Sequence, residues 1–179
     1  MAHAAGFEAA LAPGTLTQPA LDLGSGGGLP GLVLALTWPG SAWTLLEVNR
    51  RRAEFLGEAA TRLDCSDRVQ VVRERAEVAG RDPAHRGAYA LVVARGFGPP
   101  AVTAECAAPL LRSDGILLVS EPPEGDGARW AKAGLGLLGL VPEQVAHTAT
   151  GTYQRLRQAS PCPERYPRRV GVPAKRPLF

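Results

Sequence analysis

The chain has 179 residues, 45% of them hydrophobic and 21% charged, with a formal net charge of +3; that length carries one domain with a real core. No apolar run approaches the roughly 20 residues of a membrane span, and the start lacks the basic and apolar regions of a secretory signal. Three widely spaced cysteines, Cys65, Cys106 and Cys162, form neither a CxxC pair nor a disulfide framework, so a cytoplasmic protein without membrane contact is expected.

A short lead, residues 1–19, precedes the first strand. ALDLG (20–24) reads as a buried strand running into glycines, and Leu29 to Leu36 as a helix with Pro30 in its first turn. WTLLEV (43–48) is a second strand, and 50–63 a helix capped by Asn49. VQVVRE (69–74), YALVVAR (89–95) and GILLVS (115–120) give three more strands, with a helix across Val102 to Leu111 before the last. Ala128 to Leu138 reads as helical, and VPEQVAHT (141–148) with TYQRLRQ (152–158) as a hairpin. Strands alternating with helices predict an α/β, Rossmann-like fold: a mostly parallel seven-stranded sheet closed by a C-terminal antiparallel hairpin. Residues 1–160 form this domain. Residues 161–179, with five prolines, form a basic tail expected to be extended over the surface or free. From residue 155 onward seven basic residues face one acid, whereas the rest of the chain carries 13 basic against 16 acidic. A polyanionic partner reached from that end fits this asymmetry, as does a solvated tail.

DLGSGGGLPG (22–31) packs five glycines into ten positions between the first strand and the first helix. Such a turn lets a ligand approach bare main chain at a helix N-terminus. Gly26, Gly28 and Gly31 satisfy the dinucleotide pattern GxGxxG, with Glu47 at the end of the second strand placed for ribose hydroxyls. The other frame is Asp22 two residues before Gly24-x-Gly26-x-Gly28. An acid under the turn repels a diphosphate but attracts the ammonium and sulfonium of S-adenosylmethionine, which favours a class I methyltransferase over a dehydrogenase. A buried Asp22 also serves simply to accept backbone N–H groups of the loop.

The strings LDLGSGGGLPG, TLLEVNRRRAEFL, RERAE, YALVVARGFGPP, PLLRSDGILLV and PRRVGVPAKRPL together resemble the RsmG (GidB) family, methyltransferases that modify N7 of a guanine in 16S ribosomal RNA. The resemblance implies S-adenosylmethionine as cofactor and 16S rRNA or the small ribosomal subunit as partner. It places Gly24 and Leu29 at cofactor-loop contacts, Glu47, Val48 and Asn49 on the ribose side, Ala76 and Glu77 on the adenine side, and Arg95 after the fourth strand. Guanine N7 already carries a lone pair, so no catalytic base and no metal is expected, and catalysis is chiefly orientation. RNA contact is assigned to Arg50, Arg51 and Arg52, whose placement at a helix N-terminus opposes the helix dipole, and to Arg168, Arg169, Lys175 and Arg176. Pairing of the first three with Glu54 and Glu58 is the plainer alternative.

Two features depart from the family pattern. Its additional N-terminal helical segment is replaced by the short lead, and its lysine-glycine pair after the fifth strand by Ser120-Glu121. A methyltransferase of this fold with another substrate, or a non-catalytic paralogue, is therefore the alternative. The sequence leaves oligomeric state open, with a monomer as the default.

Overall fold

A computed structural model of the chain describes residues 2–11, with side chains from residue 5, and residues 18–179. Helix α1 (Ala2–Ala10) leads into β1 (Ala20–Leu23), α2 (Gly31–Thr37), β2 (Trp43–Leu46), α3 (Arg50–Arg62) and β3 (Val69–Val72). Then follow α4 (Ala76–Ala79), β4 (Tyr89–Ala94), α5 (Pro100–Ala107), β5 (Leu111–Glu121), α6 (Lys132–Gly136), β6 (Leu140–Thr148), β7 (Gly151–Gln158) and α7 (Val172–Lys175). The strands form one sheet in the order β3-β2-β1-β4-β5-β7-β6. The first five are mutually parallel, and β7 runs antiparallel between β5 and β6. The parallel sheet and closing hairpin are as the sequence predicts.

Every residue of β1 and β4 is buried. That is the mark of central parallel strands covered on both faces. Alternation along β4 divides the core: Val92 and Ala94 join one apolar cluster, Leu91 and Val93 the other. α3 turns Ala53, Leu56 and Ala60 inward and its arginines outward, and its first turn is fixed by Asn49, whose Oδ1 accepts from Arg52 N at 3.2 Å. The chain winds outward from β1 through β2 to β3 and then crosses back to set β4 on the other side of β1, so the crevice beyond the C-terminal ends of β1 and β4 is where this architecture binds ligands. Among the described residues no helix is long and apolar enough to cross a membrane.

Three helix expectations need correction. α2 begins at Gly31, with Pro30 as its cap residue rather than inside its first turn. The helix expected at 102–111 starts earlier, with Pro100 at its first position, and ends at Ala107. A 3-10 turn through Pro109 follows, because that ring removes a donor and clashes with the preceding turn. The segment 128–138 is helical only over Lys132–Gly136, with Leu137 as its cap; Gly134 and Gly136 weaken the helix, and Gly139 (φ 79°) takes the left-handed turn that leads into β6.

The tail is neither extended throughout nor free. Tyr166 and Pro173 are buried, and Phe179 packs against Gly134. The Arg86 guanidinium donates to the carbonyls of Cys162, Pro163 and Tyr166. Arg168 pairs with Glu105, a wholly buried carboxylate on α5.

Candidate functional site

The five glycines of the first turn divide by task. Gly24, Gly26 and Gly28 hold φ of 72°, 55° and 87°, a region that side chains disfavour. A Cβ on Gly28 would lie 3.1 Å from Leu32 and Leu56, and one on Gly31 only 2.5 Å from the Asp22 Cβ. These two glycines let helix and sheet pack closely. Gly27 faces open space, and nothing but the Gly24 carbonyl lies near Gly26. This half of the turn leaves main chain accessible to a ligand.

Two carboxylates hold the turn. Asp22 is buried beneath it, and its Oδ2 accepts from Gly31 N at 2.9 Å. The plainer role foreseen for Asp22 is thus present: it anchors the start of α2 and does not line the adjacent cavity. Burial pushes its carboxyl up to about 7, and the nearby Glu47 charge adds to the rise. The Gly31 N–H and Ser25 oppose it. Glu47 is also buried, just past β2, and accepts from Gly26 N at 2.8 Å and from Asn49 N at 2.7 Å. One side chain therefore ties the glycine turn to the start of α3. Each oxygen retains accepting capacity.

Gly24, Glu47, Val48, Ala76 and Glu77 converge on a cavity of about 190 Å³, with Phe97, Val102 and Cys106 closing its apolar side. Five of the residues expected at a cofactor thus share one space. Gly26 adjoins it through its bond to Glu47. Gly28 packs beneath the turn, Asn49 serves as the α3 cap, and Leu29 is exposed outside the cavity. Arg95 does not line this cavity. It lines an adjoining one of about 370 Å³, and Phe97 is common to both. The position one residue past β4 carries Arg95 beyond the switch point toward β5.

Leu46, Glu74, Arg75, Phe97, Val102 and Cys106 are the contributors that reading the sequence missed. For Phe97 the signal was in YALVVARGFGPP, where an aromatic residue follows a buried strand on the ligand-binding edge. Glu77 has a further partner, since its Oε1 accepts from Gly171 N at 2.9 Å and so joins the tail to the cavity wall.

The basic residues separate into committed and open ones. Arg50 pairs with Glu54 at 2.9 Å on the surface. Arg168 donates from its main chain and guanidinium to Glu105 and to the Arg176 carbonyl. A buried carboxylate demands that partner, so Arg168 is a structural cation rather than an open phosphate ligand. Arg51, Arg52, Arg169, Lys175 and Arg176 are exposed and form no ion pair among the described residues. Among the described residues no group of three or more His, Cys, Asp or Glu side chains is arranged to hold a metal ion.

Comparison with known proteins places this geometry in context. Residues 10–124 match the family model for rRNA small subunit methyltransferase G. A protein of that name from Roseiflexus castenholzii is 39% identical over 176 residues, covering 95% of this chain and 75% of its own length. One from Prochlorococcus marinus is 39% identical over 165 residues, covering 88% of this chain and 67% of its own length. Among solved structures, an RNA methyltransferase from Salinibacter ruber with S-adenosyl-L-homocysteine superposes with a TM-score of 0.57 at 18% identity, over 81% of this chain and 83% of that one. The T. thermophilus 16S rRNA N2 methyltransferase RsmC, solved with AdoMet and guanosine, gives 0.60 at 23% identity over 90% of this chain and 40% of that one. At those identities the structural likeness shows the fold.

Proposed function

This chain belongs to the rRNA small subunit methyltransferase G family, and from that membership we propose that it moves the methyl group of S-adenosylmethionine to N7 of a guanine in 16S ribosomal RNA. The likeness to a relative at 39% identity over 95% of the chain carries the reading. The family is S-adenosylmethionine-dependent, and the residues present suit that cofactor. Val48, Ala76, Phe97 and Val102 offer apolar walls for an adenine, and Glu47 keeps lone pairs for ribose hydroxyls. The bare stretch at Gly26 and Gly27 leaves room for the amino-acid end.

Bound S-adenosylmethionine supplies an electrophilic methyl on a sulfonium. Glu47, joined by Asp22 where that carboxyl ionises at about pH 7 and above, gives the turn a negative field that suits this cation and repels a diphosphate. Because guanine N7 needs no deprotonation, the chain's task is to hold base and donor in line and to keep water away. Arg51, Arg52, Arg169, Lys175 and Arg176 are the open cations for RNA phosphates. A ribosomal substrate puts this work in the cytoplasm.

The test is incubation with labelled S-adenosylmethionine and unmodified 16S rRNA or small subunits, followed by chemical cleavage at N7-methylguanosine. The expected result is one cleavage site that depends on the enzyme. Label in another atom or another RNA, with no such site, would refute the substrate assignment.

A further inference from the structure

The cavity that holds Arg95 lies at the C-terminal ends of β4 and β5, next to the proposed cofactor space and sharing Phe97 with it. Glu121, the last residue of β5, lines this cavity. Its side chain is only 3% exposed, and its Oε2 is buried without a hydrogen-bond partner among the described residues. The nearest cation, Arg129 Nε, lies 3.8 Å away, an ion-pair distance beyond hydrogen-bond reach. Beside it in the same wall, the Trp130 Nε1 donor is also buried; it is turned toward the Glu121 carboxylate, yet makes no well-formed hydrogen bond to it among the described residues. A buried acceptor and a buried donor that meet only in a poor hydrogen bond leave capacity in one cavity wall for a better partner.

We infer that Glu121, with Trp130 beside it, reads the Watson–Crick edge of the guanine to be methylated. The inference rests on the methyltransferase reading above and identifies a specificity-determining residue for it. Guanine alone among the four bases of RNA presents two adjacent donors there, N1–H and the N2 amino group, which a carboxylate accepts together. Its O6, next in line, matches an indole N–H. Adenine and cytosine each set a ring acceptor beside their amino group and would repel the carboxylate. Holding the base by this edge leaves N7, on the opposite side of the ring, free for the methyl donor. Phe97 supplies an aromatic face between the two cavities, and the Arg95 and Arg129 cations flank the cavity where a flipped nucleotide brings its phosphates.

The experiment compares 16S rRNA fragments carrying guanosine or inosine at the mapped target, with the full chain and with Glu121→Gln. Inosine keeps N7 and N1–H but lacks the 2-amino group. For the unmodified enzyme, inosine should lower kcat/KM roughly 5- to 150-fold, the size of one good bidentate base contact. Glu121→Gln should lower activity on guanosine by a similar factor, bind S-adenosylhomocysteine unchanged, and lose most of its preference for guanosine over inosine. Equal rates on the two substrates for the unmodified enzyme would overturn this inference alone, whether or not the variant folds. A retained preference in Glu121→Gln would do the same. An unmodified enzyme that methylates no guanine of the RNA would overturn the functional reading and this inference together.

Discussion

Replacing Asp22 by asparagine separates the two tasks of the acid beneath the glycine turn. The carboxyl is fully buried, and burial lifts it from 3.8 to about 7. The folded state therefore keeps a proton that the unfolded chain releases near 3.8. This group's contribution to stability is most favourable below that value, is lost as pH rises toward 7, and is constant above. About three pH units at about 1.4 kcal/mol each give a penalty of about 4 kcal/mol above pH 7. Asparagine keeps an oxygen for Gly31 N, which now donates to Asp22 Oδ2 at 2.9 Å, and it has nothing to ionise. Urea unfolding followed by tryptophan fluorescence between pH 4 and 8 should show the two proteins converging at pH 4. By pH 8 the asparagine variant should be more stable by an amount of that order. Cofactor affinity at pH 8 should change in the opposite direction, since the variant lacks the charge beneath the turn that attracts a sulfonium. Parallel stability curves across this range would refute a buried carboxyl titrating near neutrality.

Glu47→Ala should weaken S-adenosylhomocysteine binding at least tenfold by calorimetry, because it frees both the Gly26 and the Asn49 N–H groups and removes the ribose acceptor; an unchanged Kd would place the ribose elsewhere. Arg168→Ala should cost about 3–5 kcal/mol by leaving the buried Glu105 carboxylate unpaired, whereas Arg169→Ala should fall within about 0.5 kcal/mol. Equal effects in chemical denaturation would mean the tail is not anchored there. Gly31→Ala drives a methyl to within 2.5 Å of the Asp22 side chain and should cost at least about 1–3 kcal/mol; a thermal melt matching the wild type would contradict that packing. Arg51→Ala and Arg52→Ala should each lower the salt dependence of RNA binding by about one unit of slope, and an unaltered slope would remove them from the interface.

The buried strands were legible because β1 and β4 are continuous apolar runs bounded by turns, and the α3 start because Asn49 is a strong cap. The glycine turn was legible as a ligand loop, but not in its division of labour. Whether a glycine faces a ligand or a neighbouring helix depends on Leu56 and Asp22, which only the fold brings beside Gly28 and Gly31. The tail was misread for a related reason. Its anchors are Glu105, 63 residues from Arg168, and Glu77, 94 residues from Gly171. Local composition reports prolines and charge but not such distant partners. Arg95 was legible as an edge residue, yet which of two adjoining cavities it lines depends on how the chain turns after β4.

The most direct measurement is the structure of the protein crystallised with S-adenosylhomocysteine. Its adenosine is expected in the cavity between Gly24, Glu47, Val48 and Ala76, with the ribose hydroxyls on Glu47. An adenosine bound anywhere else, or a site that instead accepts a diphosphate-bearing dinucleotide, would contradict the account.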